Sequence, residues 1–302
     1  MAGTGITKGK PMRPNHHQFI AFSYVVREGS FSAAARRLGV TQSTVTQHVS
    51  KLEELVGSEL LLRSRDGVSL TPTGRDFFGL ADRLVALDSE IGERLQGYSS
   101  LNEGRLKVIA NAPQPALQVI AAFNDRFPNV HIDFRLCDWT TANQLIRDRV
   151  ADVGLITDAP ERDDWDRVFL QKSRYVLYCR FDHPLAARKI VGLEDLVDQT
   201  IILPENGSLT QRVVRQKLKE QRIALPQLIT MTTFPVMCEA VRQGLGAAIF
   251  LKNSSGIYDD LVEIPVRDFQ QEHQTWLVAP KDRARLKLIR EFRTAALAIA
   301  IK

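Results

Sequence analysis

The sequence predicts an all-α head closed by a β-hairpin, then a long connecting helix, then a larger α/β domain. Three observations carry this. Before residue 60, three short stretches show helical spacing of apolar residues and are parted by glycines. A seven-residue apolar repeat runs from Phe77 to Tyr98. From residue 105 onward, short apolar strands alternate with amphipathic runs.

In the first stretch, residues 16–27, Phe19, Phe22 and Val26 share one face. Residues 31–38 form a second helix, with Ser30 as N-cap and Ala33, Ala34 and Leu38 turned inward. Gly39 ends it, because glycine takes the left-handed backbone of a helix C-terminus at no steric cost. Thr41 caps a third helix from Gln42 to about Val56, which Gly57 ends. Its stripe Val45, Val49, Leu52 and Val56 packs inward. The opposite face, Ser43, Thr46, Gln47, Ser50 and Lys51, is polar and free of acids, whereas further along the helix carries Glu53 and Glu54 as solvated helices do. Short donors and acceptors without carboxylates to repel phosphates suit a helix in the major groove. Two short helices joined by a glycine-containing turn make a helix-turn-helix; any small three-helix bundle is the alternative.

A hairpin follows, with residues 60–63 and 68–70 flanking the turn signal Asp66-Gly67. Arg63 and Arg65 project from its tip or edge, as a phosphate-touching wing requires. Charge is densest in the same region. Residues 1–72 hold nine Lys/Arg against five Asp/Glu, residues 73–103 three against six, and the remaining 199 residues 28 against 24. That is a mild nucleic-acid footprint, with a merely basic solvated surface as its alternative.

The stretch "GSFSAAARRLGVTQSTVTQHVSKLEELVGSELLLRSRDGVSLTPTG", residues 29–74, resembles without a break the N-terminal module of LysR-type transcriptional regulators. The resemblance implies base or phosphate contact from Gln42, Ser43, Thr44, Thr46, Gln47 and Lys51, and puts Arg63 on the wing. Ser30, Arg36, Thr41 and Arg65 complete the candidate set. Many family members carry Pro or Ala where Ser43 and Thr44 stand, so no relative's target sequence transfers to this chain.

Thr71 as cap and Pro72 at the first helical position start the connector, residues 72–98. Phe77, Leu84, Ile91 and Tyr98 recur every seven residues; Leu80 and Leu87 fill the +3 position until Arg94 breaks that row and Leu95 takes over. The seam fits a helix paired with another helix, or one packed on its own domain; the resemblance implies an antiparallel dimerisation helix and a homodimer or homotetramer. Residues 1–12 read as a disordered leader with Met12 as an alternative start, residues 13–71 as the winged head, and 99–104, "SSLNEG", as a hinge.

Beyond it, the strands are "LKVIA", "VHIDFRL", "ADVGLIT", "RYVLYCR", "TIILP", "LITM", "AAIF" and "TWLVA", with helices over 114–127, 139–150, 208–222 and 235–243 and a largely parallel sheet. A catalytic constellation is missing: there is no HExxH, P-loop or GxSxG. "GLGAAI" at 244–249 lacks the third glycine of a dinucleotide fingerprint and precedes a strand, and His183 stands alone. Cys137, Cys179 and Cys238 are odd in number and far apart, so no disulfide framework or zinc site is expected, nor any cofactor. The apolar runs are too short to span a bilayer and the basic start lacks a secretory core, which leads to the expectation of a cytoplasmic protein with no membrane partner.

Polar loops at strand carboxyl ends, where α/β sheets bind ligands, supply Asn111 and Gln114, Thr140 and Thr141, Ser208 and Thr210, and Thr232 and Thr233. Helix capping alone would also explain any one of them. "VRQGLGAAIF" and "HPLA" resemble the effector domain of the same family, which is similar to type 2 periplasmic binding proteins. That implies 105–302 as a two-lobed effector-binding domain, lobe I over 105–165 and 268–302 and lobe II over 166–267, with those loops facing one cleft. Helix N-termini in the loops favour a small anionic metabolite, with Asp138, Asp158 and Glu205 only at the margins. "TVTQHVSKLEE" and "RLVALDSE" are similar to a subgroup associated with aminoethylphosphonate catabolism, which turns the expectation toward a phosphonate. The whole reads as a ligand-responsive DNA-binding regulator with double-stranded DNA, the effector and RNA polymerase as candidate partners. The alternatives are an enzyme with a fused DNA-binding head and a solute-binding receptor.

Overall fold

The computed structural model describes residues 14–64, 67–95, 104–232, 234–253 and 260–300. The leader, Arg65, Asp66, Tyr98, most of the hinge and Thr233 lie outside the described residues. The chain divides into two compact units, Met1–Tyr98 with Asp148–Val150, and the remainder.

In the first unit, α1 (His16–Glu28), α2 (Phe31–Leu38) and α3 (Gln42–Val56) form the head. Asn15 and Gln18 close a reciprocal capping box on α1. Ser30 and Thr41 cap α2 and α3 as expected, and Gly39 and Gly57 end them at φ 67° and 73°. The core is Phe22, Val25, Ala34, Val45, Val49, Leu52 and Leu60, all fully buried. Each large member contributes about 1.5–3 kcal/mol by leaving water. Phe19 and Val26 sit at its rim, while Ala21 and Val25 take the buried positions.

Strands β1 (Leu61–Ser64) and β2 (Gly67–Leu70) pair antiparallel with Ser64 opposite Gly67. Gly67 is therefore the first paired residue of β2 rather than a turn residue, and Val68 N–H donates to the Gly29 carbonyl at 3.2 Å. The hairpin is thereby held to the C-terminus of α1. Helix α4 (Pro72–Leu95) starts at the Thr71 cap, whose hydroxyl accepts from Gly74 N–H at 2.9 Å. Gly74 is required there: a Cβ would come 2.0 Å from the Leu60 carbonyl oxygen.

The apolar surface of α4 is divided between two faces. Phe78 and Ala81 enter the head core, Phe78 meeting Phe22 edge-to-face at 6.2 Å, and Phe77 packs beside them. Leu80, Leu87 and Ile91 are 64%, 54% and 50% exposed, with Leu84 half-buried on the same side. The expected seam thus loses Phe77 to its own domain and begins at Leu80.

The second unit holds two five-stranded sheets. The first has order β4 (Val130–Leu136), β3 (Gly104–Ala110), β5 (Val153–Thr157), β12 (His273–Pro280), β6 (Trp165–Ser173). The second has order β11 (Leu261–Pro265), β7 (Tyr175–Arg180), β10 (Ala247–Leu251), β8 (Ile201–Pro204), β9 (Leu228–Met231). Helices α5 (Ala116–Arg126) and α9 (Lys287–Ala300) cover one face of the first sheet and α6 (Trp139–Arg147) the other. Helices α7 (Leu209–Gln221) and α8 (Phe234–Arg242) cover opposite faces of the second. Burial on both faces explains why β5, β8 and β10 read as unbroken apolar runs.

Three expectations need correction. The sheets are mixed, not largely parallel: β12 runs against β5 and β6, and β7 against β10 and β11. β6 pairs with β12 in the first sheet, so the first lobe extends through Ser173 and not to residue 165. β6, β11 and α9 were not anticipated. β6 and β11 are edge strands; β6 is half solvated and polar in sequence, and β11 is short, interrupted by Glu263 and ended by Pro265, which hid them. Two short crossovers join the lobes: Arg174, between β6 and β7, and residues 266–272, between β11 and β12.

Candidate functional site

The first site is the outer face of α3. Gln42, Ser43, Thr44, Thr46 and Gln47 line one open concavity. Local geometry spends several of these groups. Thr41 Oγ1 accepts from Thr44 N–H at 3.2 Å and lies 2.8 Å from the Ser43 and Thr44 hydroxyls. Thr46 donates to the Gln42 carbonyl at 2.9 Å, and Gln42 Oε1 accepts from Ser32 at 2.8 Å. Gln47 and Lys51 are exposed and without partners among the described residues. They are the side chains on this face most free to reach a base or a phosphate. Ser30 is half-buried and occupied with its cap, while Arg36 is exposed in the last turn of α2.

Arg63 projects, exposed, from the edge of the hairpin on β1 and not from its tip. Its guanidinium carbon lies 4.2 Å over the Phe31 ring, which fixes its charge beside the N-terminus of α2. Glu53, read from sequence as solvated, accepts from the Leu60 and Leu61 amides at 2.9 and 3.2 Å. It ties α3 to the hairpin, so this acid belongs to the scaffold and leaves the outer face acid-free.

The second site is a cavity of about 200 Å³ between the two lobes of the second unit. Asn111, Thr141, Ser208, Thr210 and Thr232, all expected from the loops, line it. Asn111 Oδ1 is occupied by Thr157 N–H at 3.0 Å. Ser208 is the N-cap of α7, yet its hydroxyl makes no capping bond, so the first-turn N–H groups of this 13-residue helix lack a side-chain cap. Two expectations fail. Thr140 lies outside the lining, its amide and hydroxyl both donating to the Gly207 carbonyl, at 3.3 and 3.2 Å, which joins the lobes. Gln114 also lies outside, with its buried Oε1 unpaired.

Sequence reasoning missed the residues that give the cavity its character. Arg135, Cys137, Trp139, Tyr175 and Phe234 all line it, and Asp138 and Glu205 belong to the lining rather than its margin. Asp138 caps α6, accepting from Thr140 N–H, Thr141 N–H and the Thr141 hydroxyl, so Thr141 is less free than its position suggested. Asp158 instead meets His273 Nδ1 at 2.5 Å. Burial pushes the Cys137 thiol up to about 11, the nearby Arg135 charge opposing it. Burial likewise raises the Tyr175 phenol well above its ordinary range. Among the described residues no group of His, Cys, Asp or Glu could hold a metal ion, and no helix is long and apolar enough to cross a membrane.

A capped helix pair presenting an acid-free face, in one chain with two mixed sheets that enclose a polar cleft, defines a DNA-binding regulator that answers to a small molecule. Residues 16–75 match the model described as bacterial regulatory helix-turn-helix protein, lysR family, and residues 99–299 match the LysR substrate binding domain. The chain belongs to the LysR family of transcriptional regulators. It is 27% identical over 295 residues to an uncharacterized HTH-type transcriptional regulator of Methanocaldococcus jannaschii, covering 94% of this chain and 99% of that one. To the HTH-type transcriptional activator CmpR of Synechocystis sp. it is 25% identical over 273 residues, covering 88% and 90%. Among solved structures, a full-length OxyR variant from Pseudomonas aeruginosa superposes with a TM-score of 0.77 at 19% identity, covering 96% of this chain and 97% of that one. These relatives are regulators, and the protein is a LysR-type regulator with a DNA-binding and an effector-binding domain, not an enzyme.

Proposed function

We propose that this regulator acts in the cytoplasm, docks α3 in the major groove of promoter DNA with Arg63 on the flanking backbone, and senses a small anionic metabolite in the interlobe cleft. Pairing through the Leu80–Leu84–Leu87–Ile91 face of α4 would make a dimer, two of which form a tetramer, with an inverted-repeat operator whose half-sites lie about one helical turn apart. RNA polymerase is the further partner we assign to the DNA-bound form.

The observation that carries the effector reading is the N-terminus of α7. Ser208 makes no capping bond, Leu209 and Thr210 of the first turn line the cavity with it, and the positive end of the helix dipole lies there. Arg135 adds a cation from the other lobe, and the buried Tyr175 hydroxyl, which donates to no acceptor among the described residues, adds a donor. Of the two carboxylates in the lining, Asp138 is spent on the α6 cap, so a carboxylate or a phosphonate suits the side of the cavity formed by Ser208, Arg135 and Tyr175, away from Glu205. Binding would favour the closed lobes in proportion to its differential affinity for the two states, and so reset the paired heads. Calorimetry on wild type and a Ser208→Ala/Thr210→Ala double variant tests it: the variant should lose most of its affinity for the anion that binds best, and equal affinity would place the site elsewhere.

A further inference from the structure

Tyr175 stands where the cleft meets the hinge. It is the first residue of β7, one residue after the first crossover. Its ring packs edge-on against Phe269, centroids 5.6 Å apart, and against His273 at 4.8 Å, and both belong to the second crossover or its end. His273 is itself buried and held by Asp158, whose other oxygen accepts from Gln274 N–H at 2.9 Å and whose amide donates to the Gln274 carbonyl at 2.7 Å. The aromatic face of Tyr175 is therefore clamped by the strand that returns to the first lobe.

The hydroxyl is handled differently. Tyr175 is 1% exposed and lines the cavity, yet among the described residues its oxygen has no partner in full hydrogen-bond geometry, the neighbouring Thr210 hydroxyl acting on it only enough to oppose the effect of burial. A phenol is protonated at neutral pH and burial raises it further, so the group is a donor. A buried hydroxyl without a partner weakens a fold, and phenylalanine would fill the same space without that cost. Such a group calls for a role outside the fold.

We infer that the Tyr175 hydroxyl is the contact through which the hinge reads the cleft: it donates to an acceptor oxygen of the effector, and the ring passes that engagement to both crossovers. This rests on the anionic reading of the cleft and adds a requirement to it. The effector must present one oxygen to the α7 N-terminus and a second that reaches Tyr175, so a group with two or more acceptor oxygens fits and a halide does not. Tyr175 is thus a specificity-determining residue, and His273 a positioning residue that acts through it.

The test uses the full chain, wild type and Tyr175→Phe, in a buffer free of oxyanions, with inorganic phosphate, sulfate, methylphosphonate, acetate and chloride as probes. Without a probe, the variant should melt no lower than wild type; a fall of more than roughly 2 °C would mean that the hydroxyl supports the fold and would overturn the inference. The best oxyanion should bind the variant about tenfold or more weakly. Hydrogen exchange at residues 174–176 and 266–273 should slow on saturation in wild type and not in the variant. Equal affinity, or equal slowing, overturns this inference and leaves the anion reading standing. If no oxyanion binds wild type, both fall together.

Discussion

The guanidinium carbon of Arg212, on α7 in the second lobe, lies 4.1 Å from the centroid of the Trp139 ring at the start of α6 in the first. The pair spans the cleft, and a cation over an indole face contributes about 0.5–2 kcal/mol, the lower end applying where solvent reaches it. Arg212 is exposed. Replacing it with Ala should therefore weaken closure and lower affinity for a lobe-bridging anion by roughly two- to tenfold. Arg212→Lys should restore only part of this, because the planar stack is lost. Calorimetry beside an unchanged melting curve checks it; unaltered affinity would remove the pair from the closing step.

The two faces of α4 should respond oppositely to substitution. Phe78→Ala should destabilise the head by about 3–5 kcal/mol, as expected for a buried aromatic. Leu87→Glu, on the exposed face, should leave the monomer fold intact and abolish dimers. Sedimentation velocity at micromolar concentration distinguishes them. A Leu87→Glu protein that still sediments as the wild-type oligomer would show that another surface holds the assembly.

The thiols give a pH dependence with a defined sign. Cys137 and Cys179 are both pushed from an ordinary 9.0 up to about 11 by burial. The unfolded chain loses those protons first, so the stability they confer is complete below pH 9 and is lost as pH rises toward 11. Alkylation of Cys137 should accordingly be slow at neutral pH and accelerate through that window. Timed labelling with mass spectrometry reads this directly; rapid modification at neutral pH would mean that the thiol is far more accessible than its burial implies.

The head was readable in the sequence because its signals are local. Ser30, Gly39, Thr41 and Gly57 each fix one helix end by their own backbone chemistry, and Val45, Val49 and Leu52 declare their face by period alone. The effector domain was readable where burial on both faces makes a strand continuously apolar, as in Val153–Thr157, and where strict alternation marks an edge strand, as in Val130–Leu136. The edge strand Trp165–Ser173 carries neither mark, since its buried positions follow no regular alternation. The cleft was half legible for the same kind of reason. Ser208 and Thr210 follow from a loop at a strand end, a rule about sequence order. Tyr175, by contrast, reaches the cavity from the start of a strand, through a crossover whose geometry depends on contacts with Phe269 and His273 nearly a hundred residues away. Thr140 was misplaced because nothing in its own segment announces the Gly207 carbonyl that takes its hydroxyl.

The most direct measurement of the central claim, that α3 reads DNA through its acid-free face, is binding to a selected operator and to random duplex across a salt series, for wild type, Gln47→Ala and Lys51→Ala. Gln47→Ala should cost about 1–3 kcal/mol on the operator alone and relax preference at one or two base pairs. Lys51→Ala should weaken both duplexes alike and reduce the salt slope by about one. Operator affinity and base preference left unchanged by Gln47→Ala, with Lys51→Ala likewise silent, would contradict the assignment of this face.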